Sequence, residues 1–110
     1  MNILNYENAV KALYCAQILQ ESRVGIFTKD SSFLRDKAEY LAKLGHGKIY
    51  STLSYCEIRL WNGSIITLRL PDYSVRGLIF DYVLYDDKIN DETLSEVIMP
   101  TEKSKRMRVI

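Results

Sequence analysis

The sequence predicts an α/β protein with a mostly parallel sheet, flanking helices and a β-hairpin. A continuous apolar run from Leu78 to Tyr85, broken only by Asp81, is typical of a strand covered on both faces. Two stretches with helical spacing of apolar residues flank a short β-rich stretch. Asn62-Gly63 lies between two alternating stretches, which is a strong hairpin signal. We therefore expect Leu78–Tyr85 at the centre of the sheet and the hairpin at its edge.

Composition limits the class of protein. The chain has 110 residues, of which 47% are hydrophobic and 26% charged, so we expect one globular domain over 1–110, with 1–4 and 101–110 as candidate flexible ends. A net charge of +1 argues against an acidic mimic of nucleic acid and gives no overall attraction to phosphate backbones. The sequence has no leader pattern and no membrane span, which predicts a cytoplasmic protein with no membrane partner.

The first third of the chain predicts helix, strand and helix. Asn5 can cap a helix that runs to about Ser22, and VGIFT, Val24–Thr28, is a β-rich strand. The residues expected to face inward on this helix are Tyr6, Ala9, Val10, Leu13, Ala16 and Leu19.

The second helix is expected from a cap at Ser31 or Ser32 to Leu44, with Leu34, Ala38 and Leu41 facing inward. Gly45-His46-Gly47 then ends it, with a glycine in the left-handed conformation. We assign no functional role to His46, the only histidine.

A strand at Lys48–Ser51 precedes the hairpin. A two-residue loop at Asn62-Gly63 fixes the hairpin register, because both residues tolerate positive φ. The pairs that this register predicts are Leu60 with Ile65 and Ile58 with Thr67 on one face, and Arg59 with Ile66 and Glu57 with Leu68 on the other.

The end of the chain predicts a loop at Lys88–Asp91 and a helix from Glu92 to Met99, capped by Asn90 or Asp91 and stopped by Pro100. A last strand is expected at Arg106–Ile110. The cysteines Cys15 and Cys56 lack metal-binding spacing, so we expect two buried free thiols and no zinc.

Asp86 and Asp87 are the strongest candidates for chemistry. They follow the apolar run, at the carboxyl end of the predicted strand, where open α/β sheets place ligands. An apolar strand that ends in an acidic pair resembles the Walker B element of P-loop NTPases, in which the first acid holds Mg²⁺ and the second orients the attacking water. The alternative is a polar turn, since Asp-Asp-Lys is ordinary turn composition.

Three stretches together resemble the ATPase core of phage terminase large subunits and related helicase-type P-loop NTPases: WNGSIITL, the step Arg76-Gly77 and LIFDYVLYDD. In that family the last stretch is the Walker B strand. The resemblance implies that Asp86 matches the magnesium-associated acid and that Asp87 matches the catalytic glutamate, with one methylene fewer.

The chain departs from this family at the phosphate-binding loop. It contains no GxxxxGK[ST] motif, so the backbone cradle, the lysine and the hydroxyl that bind nucleotide are absent from the sequence. The resemblance therefore implies a truncated RecA-like core without a Walker A loop. We expect no cofactor, and Mg²⁺ only if the acidic pair is active.

Three functions remain open. The first is a regulatory or inhibitory protein-binding module of phage origin, anchored by Trp61, the only tryptophan, which follows from a retained fold without its nucleotide loop. The second is a nucleic-acid-binding accessory domain for DNA packaging or a helicase, which uses exposed tyrosines and basic residues. The basic candidates are Arg76, Lys103, Lys105, Arg106 and Arg108. The third is a metal-dependent hydrolase using Asp86, Asp87 and Asp72.

The missing loop generates a direct prediction. The purified chain should show negligible heat of binding when titrated with Mg-ATP in a calorimeter, because no stretch supplies consecutive backbone N–H groups and a lysine to the phosphates. Micromolar binding would contradict this and would reveal a phosphate-binding site of another kind.

Overall fold

The computed structural model describes residues 2–29, 31–51, 55–72, 75 and 77–103, with the backbone alone for 31–33. The elements follow one another as β1 (Asn2–Ile3), α1 (Tyr6–Ile18), β2 (Arg23–Phe27), α2 (Ser31–Gly45), β3 (Lys48–Ser51), β4 (Tyr55–Arg59), β5 (Ile65–Arg69), β6 (Tyr82–Tyr85) and α3 (Asp91–Thr93). A wide helical turn over Leu94–Ile98 and a 3-10 turn over Met99–Thr101 continue α3.

The strands of the described residues form one mixed sheet in the order β1-β6-β2-β5-β4-β3. β1, β6, β2 and β5 are parallel to one another, whereas β4 is antiparallel to β5 and β3 is antiparallel to β4. The predicted α/β class is confirmed, but the sheet is mixed, since among the described strands three pairings are parallel and two are antiparallel. The hairpin does not lie at the edge as expected, because β5 pairs with β2 and β3 covers the far side of β4.

The strand predicted at Leu78–Tyr85 is shorter and less central than expected. Only Tyr82–Tyr85 forms β6, which has the two-residue strand β1 on its outer side. The preceding residues leave the sheet: Phe80 forms a single bridge with Glu102 and packs its ring on Phe27, with centroids 5.9 Å apart. The apolar residues 78–80 thus pack on the face of the sheet and do not form part of a strand.

The hairpin register differs from the predicted one by one residue. Observed pairs are Arg59 with Ile65, Ile58 with Ile66, Glu57 with Thr67 and Cys56 with Leu68. The loop has three residues, Trp61, Asn62 and Gly63, and it closes where Leu60 N–H donates to Ser64 O at 2.9 Å. Gly63 alone takes a positive φ, of 88°, as a three-residue hairpin loop requires.

Tertiary contacts of the Asn62 side chain explain the longer loop. Its Nδ2 donates to the carbonyls of Ala16 and Gln17, at 2.7 and 3.0 Å, in the last turn of α1. Its Oδ1 accepts the N–H of Ser64 at 3.0 Å. Helix ends leave carbonyls without partners, so Asn62 satisfies two of them while it shapes the turn.

Helix α1 begins where predicted, since Asn5 Oδ1 accepts the N–H of Asn8 at 2.8 Å. It ends at Ile18, about one turn before the expected Ser22, and there the hairpin loop donates hydrogen bonds to the carbonyls of the last turn. The predicted inward stripe is correct in its middle but wrong at both ends, because Tyr6 and Leu19 are 62% and 60% exposed.

Helix α2 buries Leu34, Ala38 and Leu41, as predicted. The side chains of its candidate caps, Ser31 and Ser32, lie outside the described residues. At its end the left-handed residue is His46, with φ 55°, and not a glycine. Gly45 is needed for a different reason, because a Cβ there would lie 2.8 Å from Leu13 Cδ1 and would push α1 and α2 apart.

The C-terminal helical segment has the predicted cap, since Asn90 Oδ1 accepts the N–H of Thr93 at 2.7 Å. It does not stop at Pro100, because a separate 3-10 turn over Met99–Thr101 follows the wide turn, and proline is tolerated at the start of such a turn, where its missing N–H is not needed. The strand predicted at Arg106–Ile110 lies outside the described residues. Of the expected flexible ends, 2–3 form β1 and Thr101 and Glu102 are buried.

Two apolar clusters lie on opposite faces of the sheet. Helices α1 and α2 pack on the inward residues of β2, β4, β5 and β6, which include Ile26, Ile58, Ile66 and Leu68. On the other face, Phe27 and Val83 pack with Phe80 and the C-terminal segment. The second cluster covers β2 and β6, and it contains no described residue of β3, β4 or β5.

The cysteines differ from each other. Cys56 is buried, and that burial raises the pKa of its thiol, so it acts as a small apolar residue. Cys15 is exposed on α1, contrary to the prediction that both thiols are buried.

The Asn62 contacts predict an unusual substitution pattern. Asn62→Asp should destabilise the fold by about 1–3 kcal/mol, because a carboxylate cannot donate to the carbonyls of Ala16 and Gln17 and lies at the negative end of a helix. Asn62→Ala should lower the free energy of unfolding by a comparable amount. Urea unfolding measures both, with Asn90→Ala as a control that loses only a cap. If Asn62→Asp left the free energy of unfolding unchanged, the role of the tertiary contacts would be contradicted, since Asp-Gly is also a favoured turn pair.

Candidate functional site

Asp86 lies where the sequence placed it, directly after β6 at the carboxyl edge of the parallel strands. Its backbone N–H donates to Phe27 O at 2.9 Å, which continues the pairing of β6 with β2. The carboxylate accepts the N–H of Lys88 on Oδ1 at 3.1 Å and the hydroxyl of Thr28 on Oδ2 at 3.2 Å. Both oxygens therefore hold the turn that follows β6 and tie it to the end of β2.

The protonation of Asp86 reflects these bonds. Partial burial by itself raises the pKa of the carboxyl group, but hydrogen bonds from Lys88 N–H and the Thr28 hydroxyl outweigh burial, and the net pKa is below the usual value. A charged acceptor with two donors is the expected state of a turn-forming aspartate. It is also a state in which the carboxylate has fewer lone pairs to offer a metal.

The other acidic candidates, Asp87 and Asp72, also follow the carboxyl ends of strands in the parallel part of the sheet. Asp87 is exposed in the turn. Asp72 follows β5, which β2 separates from β6, so about two strand spacings of roughly 4.8 Å lie between these strand ends. In the described part of the chain, no group of three or more His, Cys, Asp or Glu side chains could hold a metal ion.

The connection from β1 to α1 occupies the position next to Asp86 in the sheet. Leu4 N–H donates to Tyr85 O at 2.6 Å, so β1 extends along β6 to the same edge. Only Leu4 and Asn5 separate β1 from α1. A two-residue connection cannot wrap a phosphate as the eight-residue Walker A motif does.

Trp61 is the most exposed large apolar side chain in the described residues, at 87%. It lies in the hairpin loop beside the end of α1, where Ile18 and Leu19 are 77% and 60% exposed. Ser64 Oγ donates to Leu19 O at 2.8 Å, and the Asn62 side chain contacts the residue before Ile18, which brings loop and helix end together. We call Trp61, Ile18 and Leu19 the hairpin corner.

The basic candidates are only partly described. Lys103 lies near the amino end of β6, where its Nζ is 3.6 Å from Asp81 Oδ1. Asp81 also accepts the N–H of Arg23 at 2.9 Å. Lys103 is thus paired at the edge of the sheet opposite Asp86. Arg76, Lys105, Arg106 and Arg108 lie outside the described residues.

A group of polar and aromatic side chains that the sequence analysis did not single out lies on the second face of β3, β4 and β5. We call it the outer face, and it consists of Lys48, Tyr50, Tyr55, Glu57, Arg59, Thr67 and Arg69. The predicted register scattered the hairpin members of this group over both faces. A register that places the apolar residues of both strands on one face would have predicted the outer face, because the polar residues then share the other face. The apolar residues are Cys56 and Ile58 on β4, Leu60 directly after it, and Ile66 and Leu68 on β5.

The fold and these surfaces define an α/β protein with a mixed sheet, an acidic turn at one edge and an exposed aromatic corner. Comparison with known proteins finds no matching family model, no matching curated protein and no matching solved structure. Among the helices of the described ranges, none combines the length and the apolar character needed to cross a membrane.

The hydrogen bonds of Asp86 predict a pH-dependent contribution to stability. Asp86→Asn should lower the free energy of unfolding at neutral pH by about 1 kcal/mol, because bonds to a charged acceptor are stronger than bonds to a neutral one. Since the pKa of Asp86 is lowered in the folded state, the wild-type advantage is present above the unfolded pKa of about 3.9 and is lost as the pH falls through the folded value. Urea unfolding between acid and neutral pH measures it.

The neighbouring Asp87 provides the control. Asp87→Asn should change stability by less than about 0.5 kcal/mol at neutral pH, less than Asp86→Asn does. If Mg²⁺ raised the melting temperature of the wild type, and if both substitutions abolished that increase, the acidic pair would be a metal site and not a turn.

Proposed function

We propose that the chain is a protein-binding module without nucleotide hydrolysis of its own, which retains an ATPase-like fold of the phage terminase or helicase type and acts on its partner by regulation or inhibition. The observation that carries this proposal is the exposure of the hairpin corner. Its three members, Trp61, Ile18 and Leu19, are 87%, 77% and 60% exposed. Large apolar side chains exposed on two adjoining segments, here the hairpin loop and the end of α1, are typical of a binding surface in a soluble protein.

Hydrogen bonds within the chain also hold the hairpin corner in one conformation in the absence of a partner. Asn62 Nδ2 bonds to the end of α1, and the hydroxyls of Ser22 and Ser64 both donate to Leu19 O, at 2.7 and 2.8 Å. A loop fixed in this way loses little conformational entropy on binding. Tryptophan in a rigid loop is the kind of residue that anchors protein interfaces.

Charge near the corner indicates the chemistry of the partner. Leu19 is followed by the exposed residues Gln20 and Glu21, which bring an amide and a carboxylate to the rim of the corner. Glu21 N–H donates to Asn62 O at 3.4 Å, and a Cβ on Gly63 would lie 3.2 Å from Glu21 Cγ, so Glu21 lies against the hairpin loop. The partner surface that fits is an apolar pocket for the indole ring with a basic residue at its rim, opposite this carboxylate.

The acidic edge supports a binding role over hydrolysis. Asp86 directs both carboxylate oxygens to its own turn and to Thr28, and the link between β1 and α1 has two residues. Hydrolysis of a nucleotide depends on positioning its phosphates. A hydrolase at Asp86 and Asp87 remains the alternative that metal-dependent turnover would favour.

Peptide selection tests the hairpin corner directly. Peptides selected from a random display library on the immobilised chain should favour aromatic and basic residues, and calorimetry should show that Trp61→Ala weakens them about ten-fold or more. Tyr6→Ala is the matched control, because Tyr6 is 62% exposed at the other end of α1, about 20 Å away. It should leave the affinity unchanged.

The single tryptophan supplies a second readout without a label. Trp61 emission should be quenched freely by acrylamide in the isolated chain and should become protected and blue-shifted when a selected peptide binds. Protection that grows with protein concentration alone would identify a second copy as the occupant. Peptides insensitive to Trp61→Ala but weakened by Asp86→Asn would contradict the proposal.

A further inference from the structure

The outer face is the side of the antiparallel half of the sheet that faces away from helices α1 and α2. Its strand pairs are Tyr50 with Glu57 and Glu57 with Thr67, and Tyr55 lies opposite Arg69. Helices α1 and α2 pack on the opposite side, against Ile58, Ile66 and their neighbours. Tyr50 is 46% exposed, and Tyr55, Glu57 and Arg69 are half-buried, so neither helix covers them.

The face is locally basic although the whole chain is nearly neutral. Lys48, Arg59 and Arg69 lie on it, and Arg23 of β2 lies beside Ile65 at its margin. Among the described side chains of the face, the acidic one is Glu57, which pairs with Arg59 at 3.2 Å. On the face itself, three cations against one carboxylate give a positive surface of the kind that attracts phosphate.

Flat cationic and aromatic groups alternate on this surface. The guanidinium of Arg59 lies 4.2 Å from the centre of the Tyr50 ring, and that of Arg69 lies 5.0 Å from the centre of the Tyr55 ring. These contacts hold long side chains in place at the surface. Guanidinium and phenol planes are the groups on which unpaired nucleic-acid bases stack.

A groove of about 210 Å³ runs along the face between Tyr55, Thr67 and Arg69 on the sheet and Ile79 and Phe80 beside it. Phe80 forms its wall, because Gly25 lets the ring lie against β2: a Cβ at Gly25 would lie 2.6 Å from Phe80 Cδ2. Pockets for whole small molecules have volumes of about 300–1,000 Å³. The groove suits one base of a longer strand better than a complete metabolite.

We propose that the outer face binds single-stranded nucleic acid. One base lies in the groove against Tyr55 and Ile79, a second stacks at Tyr50, and Lys48 and Arg59 contact the phosphates. A duplex does not fit in this way, because its bases are already stacked on one another and present only their edges. This site is separate from the hairpin corner, so either proposal can fail without the other.

Fluorescence anisotropy with labelled oligouridylate, oligothymidylate and a duplex of equal length tests the proposal at low salt. Both single strands should bind more tightly than the duplex, and a preference between them shows whether RNA or DNA is the better ligand. Tyr55→Leu should weaken single-strand binding about ten-fold, since stacking is lost. The matched control is Tyr40→Leu, which removes a ring that is 45% exposed on α2, in the helical layer.

Salt dependence tests the phosphate contacts with a variant that does not alter the groove. Lys48→Gln should reduce the slope of log K against log salt by about 0.7, the value for one phosphate contact on a single strand. Lys11→Gln on α1 should leave the slope unchanged, because Lys11 is exposed on the other side of the sheet. Circular dichroism and urea unfolding show whether each variant is folded.

Further variants separate the outer face from the rest of the chain. Binding should survive Trp61→Ala and the joint replacement of Lys105, Arg106 and Arg108 by Gln. Loss of binding in that triple variant alone would assign the nucleic acid to the C-terminal basic cluster and overturn the proposal. Equal affinity for duplex and single strands, full competition by polyglutamate, or no single-strand binding at low salt would overturn it as well.

Discussion

The side-chain amide of Asn62 joins the end of helix α1 to the turn of the β4–β5 hairpin, and the rest of the structure depends on this contact. Its donors satisfy the carbonyls of Ala16 and Gln17, and its oxygen accepts from Ser64. Helix carbonyls without partners are costly when water is excluded, so one residue supports both the helix end and the turn. The contact lengthens the loop to three residues and thereby sets the register of β4 against β5.

The register in turn divides the sheet into an apolar and a polar face. A shift of one residue moves every side chain of a strand to the other face, since side chains alternate along it. In the observed register Ile58 meets Ile66 and Cys56 meets Leu68 beneath the helices. The polar residues between them are thereby placed together on the outer face. One hairpin thus presents Trp61 at its tip and a basic aromatic surface along its strands.

The surfaces of the hairpin are better candidates for a functional site than the acidic turn at Asp86. The carboxylate of Asp86 is an acceptor within the scaffold, held by Lys88 N–H and Thr28. The corner and the outer face carry rings and charges that the fold itself leaves accessible. A protein with these features has surfaces suited to recognition, and the terminase-like origin of its fold remains a proposal beside them.

The sequence by itself determined the features that depend on neighbouring residues. Asn5 and Asn90 cap the helices that follow them, Leu34, Ala38 and Leu41 form an inward stripe, and β3 has its predicted bounds, because capping and periodicity act within a few residues. The α/β class and the position of Asp86 after an apolar strand follow from the same local patterns.

Only the tertiary structure decided the features that depend on distant partners. Asn62-Gly63 favours a two-residue turn locally, but the carbonyls of α1 compete for the Asn62 side chain and impose a longer loop. The apolar pattern of Leu78–Tyr85 predicts one strand, but Phe80 leaves the sheet and packs its ring against Gly25, where the absence of a Cβ makes room for it. The physical reason is common to both: a local preference worth a fraction of a kcal/mol yields to packing and buried hydrogen bonds worth about 1 kcal/mol or more each.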